Sequence, residues 1–172
     1  MAGVTSSAVA HIDGGCRPTN PGHAGFAVVI DLDGEEFILS RYIGIASNNV
    51  AEFTALIVAI KYARHLGAEA LEVVSDSKLV VEQVHGRWRQ RSESLRPLVM
   101  EARALLDKHY PSRWELNWSA RESNTQADHY CGLAINAGRN RNPFIPQNIK
   151  DKRPGKIIDP FSSSRVQGSV GA

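Results

Sequence analysis

Short apolar blocks separated by turn residues fill the first part of the chain, at residues 8–15, 26–32 and 36–45. Blocks of this length predict strands, and Asp33-Gly34 between the last two predicts a tight hairpin. Residues 16–25, dense in Pro and Gly, are expected to form a loop between the first two. The period then changes. Phe53, Leu56, Ile57, Ile60 and Ala63 recur at helical spacing and Gly67 closes the run, while Asn49-Val50-Ala51-Glu52 resembles a capping box at its start. Residues 71–75 predict a strand, 78–84 a short helix ended by Gly86, and Leu95, Leu98, Val99, Ala102, Leu105 and Leu106 an amphipathic helix with Pro97 in its first turn. Trp114, Leu116 and Trp118 alternate as the inward face of a further strand. Asn124 is placed to cap a last helix that runs through Ala127, Cys131, Ala134 and Ile135 to Gly138.

Three strands followed by alternating helices and strands predict an α/β architecture, with a mixed sheet flanked by helices. The first three strands form an antiparallel meander and the later two add in parallel. Residues 1–140 are expected to form one domain. Residues 141–172, rich in Asn, Pro, Gly, Ser and Lys, are expected to form a disordered tail.

Composition refines this picture at two points. Residues 139–172 carry seven Lys/Arg against two Asp, a net +5, which leaves the rest of the chain at −3 within its +2. A basic tail suits contact with a polyanion, and mere solubilisation explains it as well. Cys16 and Cys131 make no disulfide framework, and no apolar run approaches the length of a membrane span. A reducing, cytoplasmic location is therefore expected, with no membrane association and no obligate protein partner evident.

Four acids stand at predicted element boundaries: Asp13, Glu52, Asp76 and Asp128. Each has a structural explanation when taken singly. Asp13 could open a turn, Glu52 could close a capping box, Asp76 could cap a helix, and Asp128 could favour a helix dipole. Taken together, Asp13 and Asp76 lie at the ends of neighbouring parallel strands, where open α/β sheets place their ligands. Hard oxygen donors without His or Cys partners point to Mg²⁺ or Mn²⁺ rather than zinc.

Asp13-Gly14-Gly15-Cys16 with Asn20-Pro21-Gly22, then Asn48-Asn49-Val50-Ala51-Glu52, then Ser75-Asp76-Ser77, and finally Arg121-Glu122-Ser123-Asn124-Thr125-Gln126-Ala127-Asp128 resemble the successive motifs of type 1 ribonuclease H. The match is ordered and spans residues 8–138. The resemblance implies the RNase H-like fold with a mixed five-stranded sheet, and an endonuclease that hydrolyses the RNA strand of RNA/DNA hybrids to 5′-phosphate and 3′-hydroxyl ends. It implies two divalent cations. Asp13 would bridge both, Asp128 would help hold the one that activates water, and Glu52 and Asp76 would support the one at the leaving oxygen. Two cations neutralise charge on the entering and leaving oxygens, so four acids are a sensible stoichiometry.

RNA is distinguished from DNA by 2′-hydroxyls lining a wide minor groove, which calls for short neutral partners. Asn20, Ser47, Asn48 and Asn49 have that chemistry, and turn or cap roles would use the same side chains. Arg87, Trp88 and Arg89 combine charge with an aromatic ring, as a nucleic-acid contact would, and a solvated loop around a core Trp has the same composition. The connector here is compact, so the chain resembles the short form of the family without its long basic insertion. Where some members carry a His before the last carboxylate, this chain has Arg121-Glu122, which implies a turnover role for one of them. Two alternatives stay open: a non-catalytic module that binds hybrid or double-stranded RNA, and the same cation site acting on double-stranded RNA or RNA–DNA junctions.

Overall fold

The computed structural model describes residues 5–140 and the backbone of Phe144 and Ile145. Strands β1 (Ser7–Arg17), β2 (Gly22–Leu32) and β3 (Glu35–Ala46) form an antiparallel meander. Helix α1 (Asn48–His65) crosses to β4 (Ala70–Ser75), which pairs in parallel with β1. Helices α2 (Lys78–Val84) and α3 (Arg96–His109) then lead to β5 (Trp114–Trp118), parallel to β4. A 3₁₀ turn at Arg121–Ser123 precedes α4 (Thr125–Arg139). The expected mixed five-stranded sheet is present, in the order β5-β4-β1-β2-β3, with a two-residue β6 (Phe144–Ile145) added antiparallel on β3.

The hairpin between β2 and β3 follows from its turn residues. Asp33 and Gly34 both take positive φ, 52° and 90°, as a tight two-residue connection requires. Both faces of the sheet are covered. Ala8, Ala10 and Ile12 alternate inward from β1 onto the α1 side, where Phe53, Leu56, Ile60, Val99 and Leu106 complete one core. On the opposite face Ala127, Cys131 and Ile135 of α4 pack on Ala27 and Val29 of β2. Helix α1 is buried nearly all round because it lies between the sheet and α3. Among the described residues no helix is long and apolar enough to cross a membrane.

Several local expectations are corrected. The Pro/Gly-rich stretch expected as a loop is mostly strand: β1 continues to Arg17, β2 begins at Gly22, and only the turn between them is irregular. Gly14 and Gly15 pair with Phe26 and Gly25, so Asp13 is a mid-strand residue rather than a turn residue. Helix α1 is capped by Ser47, whose Oγ accepts the Val50 N–H at 3.3 Å, and the expected Asn49–Glu52 box does not form. Trp118 is 46% exposed and Trp114 is half-buried, so only Leu116 of the expected inward trio is buried. The sheet edge explains this, because among the described residues no strand lies beyond β5. In the tail, the backbone of Phe144–Ile145 pairs with Ser40 and Arg41, where disorder was expected. The other residues beyond 140 lie outside those described.

Candidate active site

The site arises where two parallel strands part. The β1–β4 ladder ends at the pair Ile12–Ser75, so Asp13 and Asp76 are the next residue on each strand. Beyond that point β1 continues beside β2 alone, and the chain after β4 turns off into α2. A crevice opens at the carboxyl end of the strands, as it does in open α/β sheets generally. Glu52 comes from α1, which is pressed onto the strand at Gly14. A Cβ at Gly14 would lie 2.3–2.5 Å from main-chain atoms of Ala51 and Glu52, so only glycine allows the helix this close.

One carboxylate oxygen from each of Asp13, Glu52 and Asp76 lies within 4.8 Å of the others. Asp13 is 7% exposed, and Glu52 Oε2 is buried without a hydrogen-bond partner. Burial pushes the Glu52 carboxyl well above the usual carboxylate range, and the Asp13 and Asp76 charges push it further. Burial raises Asp13 as well, followed by the charge of Asp76, with the Cys131 thiol opposing the rise. Asp76 is raised chiefly by burial, and the Arg121 guanidinium opposes that shift. Three acids crowded into a poorly hydrated place repel one another until a cation lies among them, and the orphaned Glu52 oxygen is a free ligand atom for it. The all-oxygen donor set suits a hard divalent ion.

Asp128 lines the same cleft of about 380 Å³ but stands outside that trio, and its Oδ1 accepts a hydrogen bond from the Arg121 guanidinium. It occupies the first turn of α4, where an acid suits the helix dipole. Arg121 also lines the cleft, and its charge acts on all three clustered acids. Glu122 is exposed and does not line the cleft.

Asn48 and Asn49 line the cleft beside Glu52. Asn48 Oδ1 accepts the Cys16 N–H at 2.8 Å, and Asn20 Oδ1 accepts the Asn48 N–H at 3.1 Å. Both amide oxygens are thereby committed, and among the described residues the amide NH₂ groups keep their hydrogens for other partners. Ser47 spends its hydroxyl as an acceptor on the helix cap. Arg87, Trp88 and Arg89 lie on the connector after α2 and do not line the cleft. Arg87 is bound by Glu82 through two hydrogen bonds of 2.5 and 2.9 Å, and Trp88 is 49% exposed rather than a core residue.

One contributor went unread in the sequence, and another has a role its sequence position did not show. Arg17 lines the cleft from the end of β1 and has no acidic partner among the described residues. Its reading as a loop residue hid that position. Asn124 stands at the N-cap of α4 as expected but makes no side-chain capping bond, and its Nδ2 instead donates to Ile12 O at 2.8 Å, tying the start of α4 to the strand residue before Asp13. The Asp128 N–H is in turn bonded to Asn124 O at 3.1 Å. No local pattern could have shown that bond, which spans 112 residues.

The reverse transcriptase-like family profile matches residues 11–134. The bifunctional protein Rv2228c of Mycobacterium tuberculosis is 39% identical over 153 residues, covering 87% of this chain and 40% of that protein. Ribonuclease HI of Halobacterium salinarum is 34% identical over 129 residues, covering 73% of this chain and 63% of that protein. The chain thus spans less than two thirds of the length of these relatives. Among solved structures, the N-terminal RNase H domain of Rv2228c superposes with a TM-score of 0.73 at 37% identity, covering 79% of this chain and 98% of that one. LC11-RNase H1, solved in complex with an RNA/DNA hybrid, gives 0.71 at 31% identity, covering 77% and 99%.

Proposed function

The chain belongs to the type 1 ribonuclease H family, and on that premise we propose that it is an endonuclease hydrolysing the RNA strand of RNA/DNA hybrids. The observation that carries this is the clustering of Asp13, Glu52 and Asp76 around a buried, unpartnered Glu52 oxygen. Asp13, Glu52, Asp76 and Asp128 would hold two divalent cations, Mg²⁺ or Mn²⁺. Such ions, when bound, make a nucleophile available near neutral pH and neutralise charge on the entering and leaving oxygens.

The chain's own residues do the rest. The sheet fixes Asp13 and the Gly14 contact fixes Glu52, so the acids are placed before substrate arrives. Asp128 would join them once the Arg121 guanidinium releases it to a phosphate, which gives Arg121 the turnover role, with Glu122 beside it on the 3₁₀ turn. The amide N–H groups of Asn20, Asn48 and Asn49 would donate to ribose 2′-hydroxyls and phosphate oxygens in the minor groove, with Ser47 beside them. Arg17 adds an uncommitted guanidinium at the rim. Arg87, Trp88 and Arg89 form a second contact for a duplex that extends past the cleft. Water adds to phosphorus and the bond to the 3′-oxygen breaks, leaving a 5′-phosphate and a 3′-hydroxyl.

The test is cleavage of a labelled RNA/DNA hybrid beside RNA/RNA and DNA/DNA duplexes, in Mg²⁺, Mn²⁺ or EDTA, by the native chain and by Asp13→Asn. Cation-dependent cutting of the RNA strand of the hybrid, abolished in the variant, is expected. Hybrid binding without cutting in either cation would replace the nuclease by a binding module, and equal cutting of RNA/RNA would widen the substrate class.

A further inference from the structure

The three clustered acids are not held alike. Asp13 lies within the β1–β2 ladder and Glu52 within α1, so regular main-chain hydrogen bonds fix both. Asp76 lies one residue beyond the end of β4 and before Ser77, the N-cap of α2. The Ser75 carbonyl is taken by Ser119 N at 3.0 Å, and Ser75 Oγ accepts the Ser77 N–H at 3.1 Å. The main-chain oxygen of Asp76 takes its bond from a side chain: the Trp118 Nε1–H donates to it at 3.0 Å.

Trp118 is otherwise an odd residue for its place. It ends an edge strand with 46% of its surface exposed, where a large apolar ring gains little burial. Lys78, from the first turn of α2, holds its ammonium 4.5 Å from the ring centroid and restrains the indole from above. Indole and ammonium thus bracket the strand-to-helix corner that carries Asp76. The carboxylate on that corner is pressed by the charges of its neighbours, so its backbone has to be held for the trio to stay together.

We propose that Trp118 is a positioning residue for the cation cluster, its indole N–H standing in for the ladder hydrogen bond that Asp76 lacks. This rests on the proposed function, because it assumes that the cluster holds cations. Partners that orient ligands are typically worth roughly tenfold or more in cation affinity when removed. Trp118→Phe keeps an aromatic face for the Lys78 ammonium and removes the indole N–H.

The first measurement is Mn²⁺ binding to the full chain by calorimetry, without nucleic acid, with melting in EDTA as the check on folding. Trp118→Phe should melt as the native chain does and bind Mn²⁺ roughly tenfold more weakly. Hybrid cleavage by the variant should be restored by raising the cation concentration, with KM for the hybrid unchanged. Native Mn²⁺ affinity in the folded variant overturns the proposal. If the variant does not fold, the indole N–H resonances of the native chain decide. The Trp118 proton should exchange more slowly than that of exposed Trp88 and respond to Mg²⁺. Exchange at the Trp88 rate with no response overturns the proposal too. Failure of the native chain to bind Mn²⁺ or to cut hybrid removes the proposed function itself, a different result from a native chain that does both beside an unaffected variant.

Discussion

The crevice at Asp13 and the connector at Arg87 look equally rich in chemistry along the sequence, and the fold treats them in opposite ways. The crevice collects side chains from β1, α1, the end of β4 and the start of α4, elements spread over more than a hundred residues. Its groups are left only partly satisfied: three mutually repelling acids, an orphaned Glu52 oxygen and, among the described residues, an Arg17 without an acidic partner. The connector is local, and several of its polar groups are already spent. Arg87 is bound to Glu82 five residues earlier, and Gln90 donates to Gln83 at 3.2 Å. Unspent polarity in a dehydrated place is costly to folding and is retained where a ligand will satisfy it. The crevice therefore has the character of a reaction site and the connector that of a binding surface.

The strongest way to break this contrast is Glu52→Gln. Cleavage of hybrid should fall by about 10³-fold or more, the scale seen when a group the chemistry requires is removed. The same change should stabilise the cation-free protein at neutral pH. Because burial and neighbouring charges hold the Glu52 carboxyl above the ordinary range, its protonated form favours the folded state, and that contribution is lost as pH rises through the raised value. In EDTA the native chain should lose melting temperature as pH climbs above the ordinary carboxylate range, and Glu52→Gln should flatten that slope. Cation should restore the native chain and not the variant.

Next in size is Gly14→Ala. The added methyl would meet main-chain atoms at 2.3–2.5 Å, which no rotamer relieves. A loss of roughly 3 kcal/mol is expected in urea unfolding, the upper end of overpacking costs, with impaired cleavage because Glu52 moves with its helix. Asn124→Ala should cost less, about 1–2 kcal/mol, for the bond to Ile12 O, and it should loosen Asp128 through the start of α4.

Period and turn chemistry made most of the fold legible. The Asp33-Gly34 hairpin, the α1 periodicity and the alternation of helices and strands lead to a mixed sheet, three antiparallel strands and then two parallel, without structural help. The candidate acids were legible as well, because each falls at a predicted element boundary and the ordered motifs surround them, and three of the four are brought together. What local patterns could not convey was pairing. Gly14, Gly15 and Gly22 look like loop formers, but they lie in strands, and at Gly14 α1 approaches the backbone too closely for any side chain. Asn124 has the composition of a cap and works as a tether. Trp118 has the spacing of a core residue, but β5 is the last strand of the sheet, and its indole turns to the Asp76 carbonyl instead. In each case a long-range partner outweighed the local preference.

The smallest expected effects lie in the connector, and they separate its two arginines. Arg89 has no ion-pair partner among the described residues, whereas Arg87 is already neutralised by Glu82. A free guanidinium that meets a phosphate releases about one counterion, so Arg89→Gln should reduce the slope of log affinity against log salt by about 0.9. It should weaken hybrid binding severalfold with kcat unchanged. Arg87→Gln should change both quantities less, because in the native chain Glu82 and the phosphate compete for the same guanidinium and exposed pairs contribute little. Equilibrium binding to a non-cleavable hybrid at several salt concentrations measures both variants. A drop in kcat for either arginine would mean that the connector reaches the reacting strand, and the division between reaction site and binding surface would then fail.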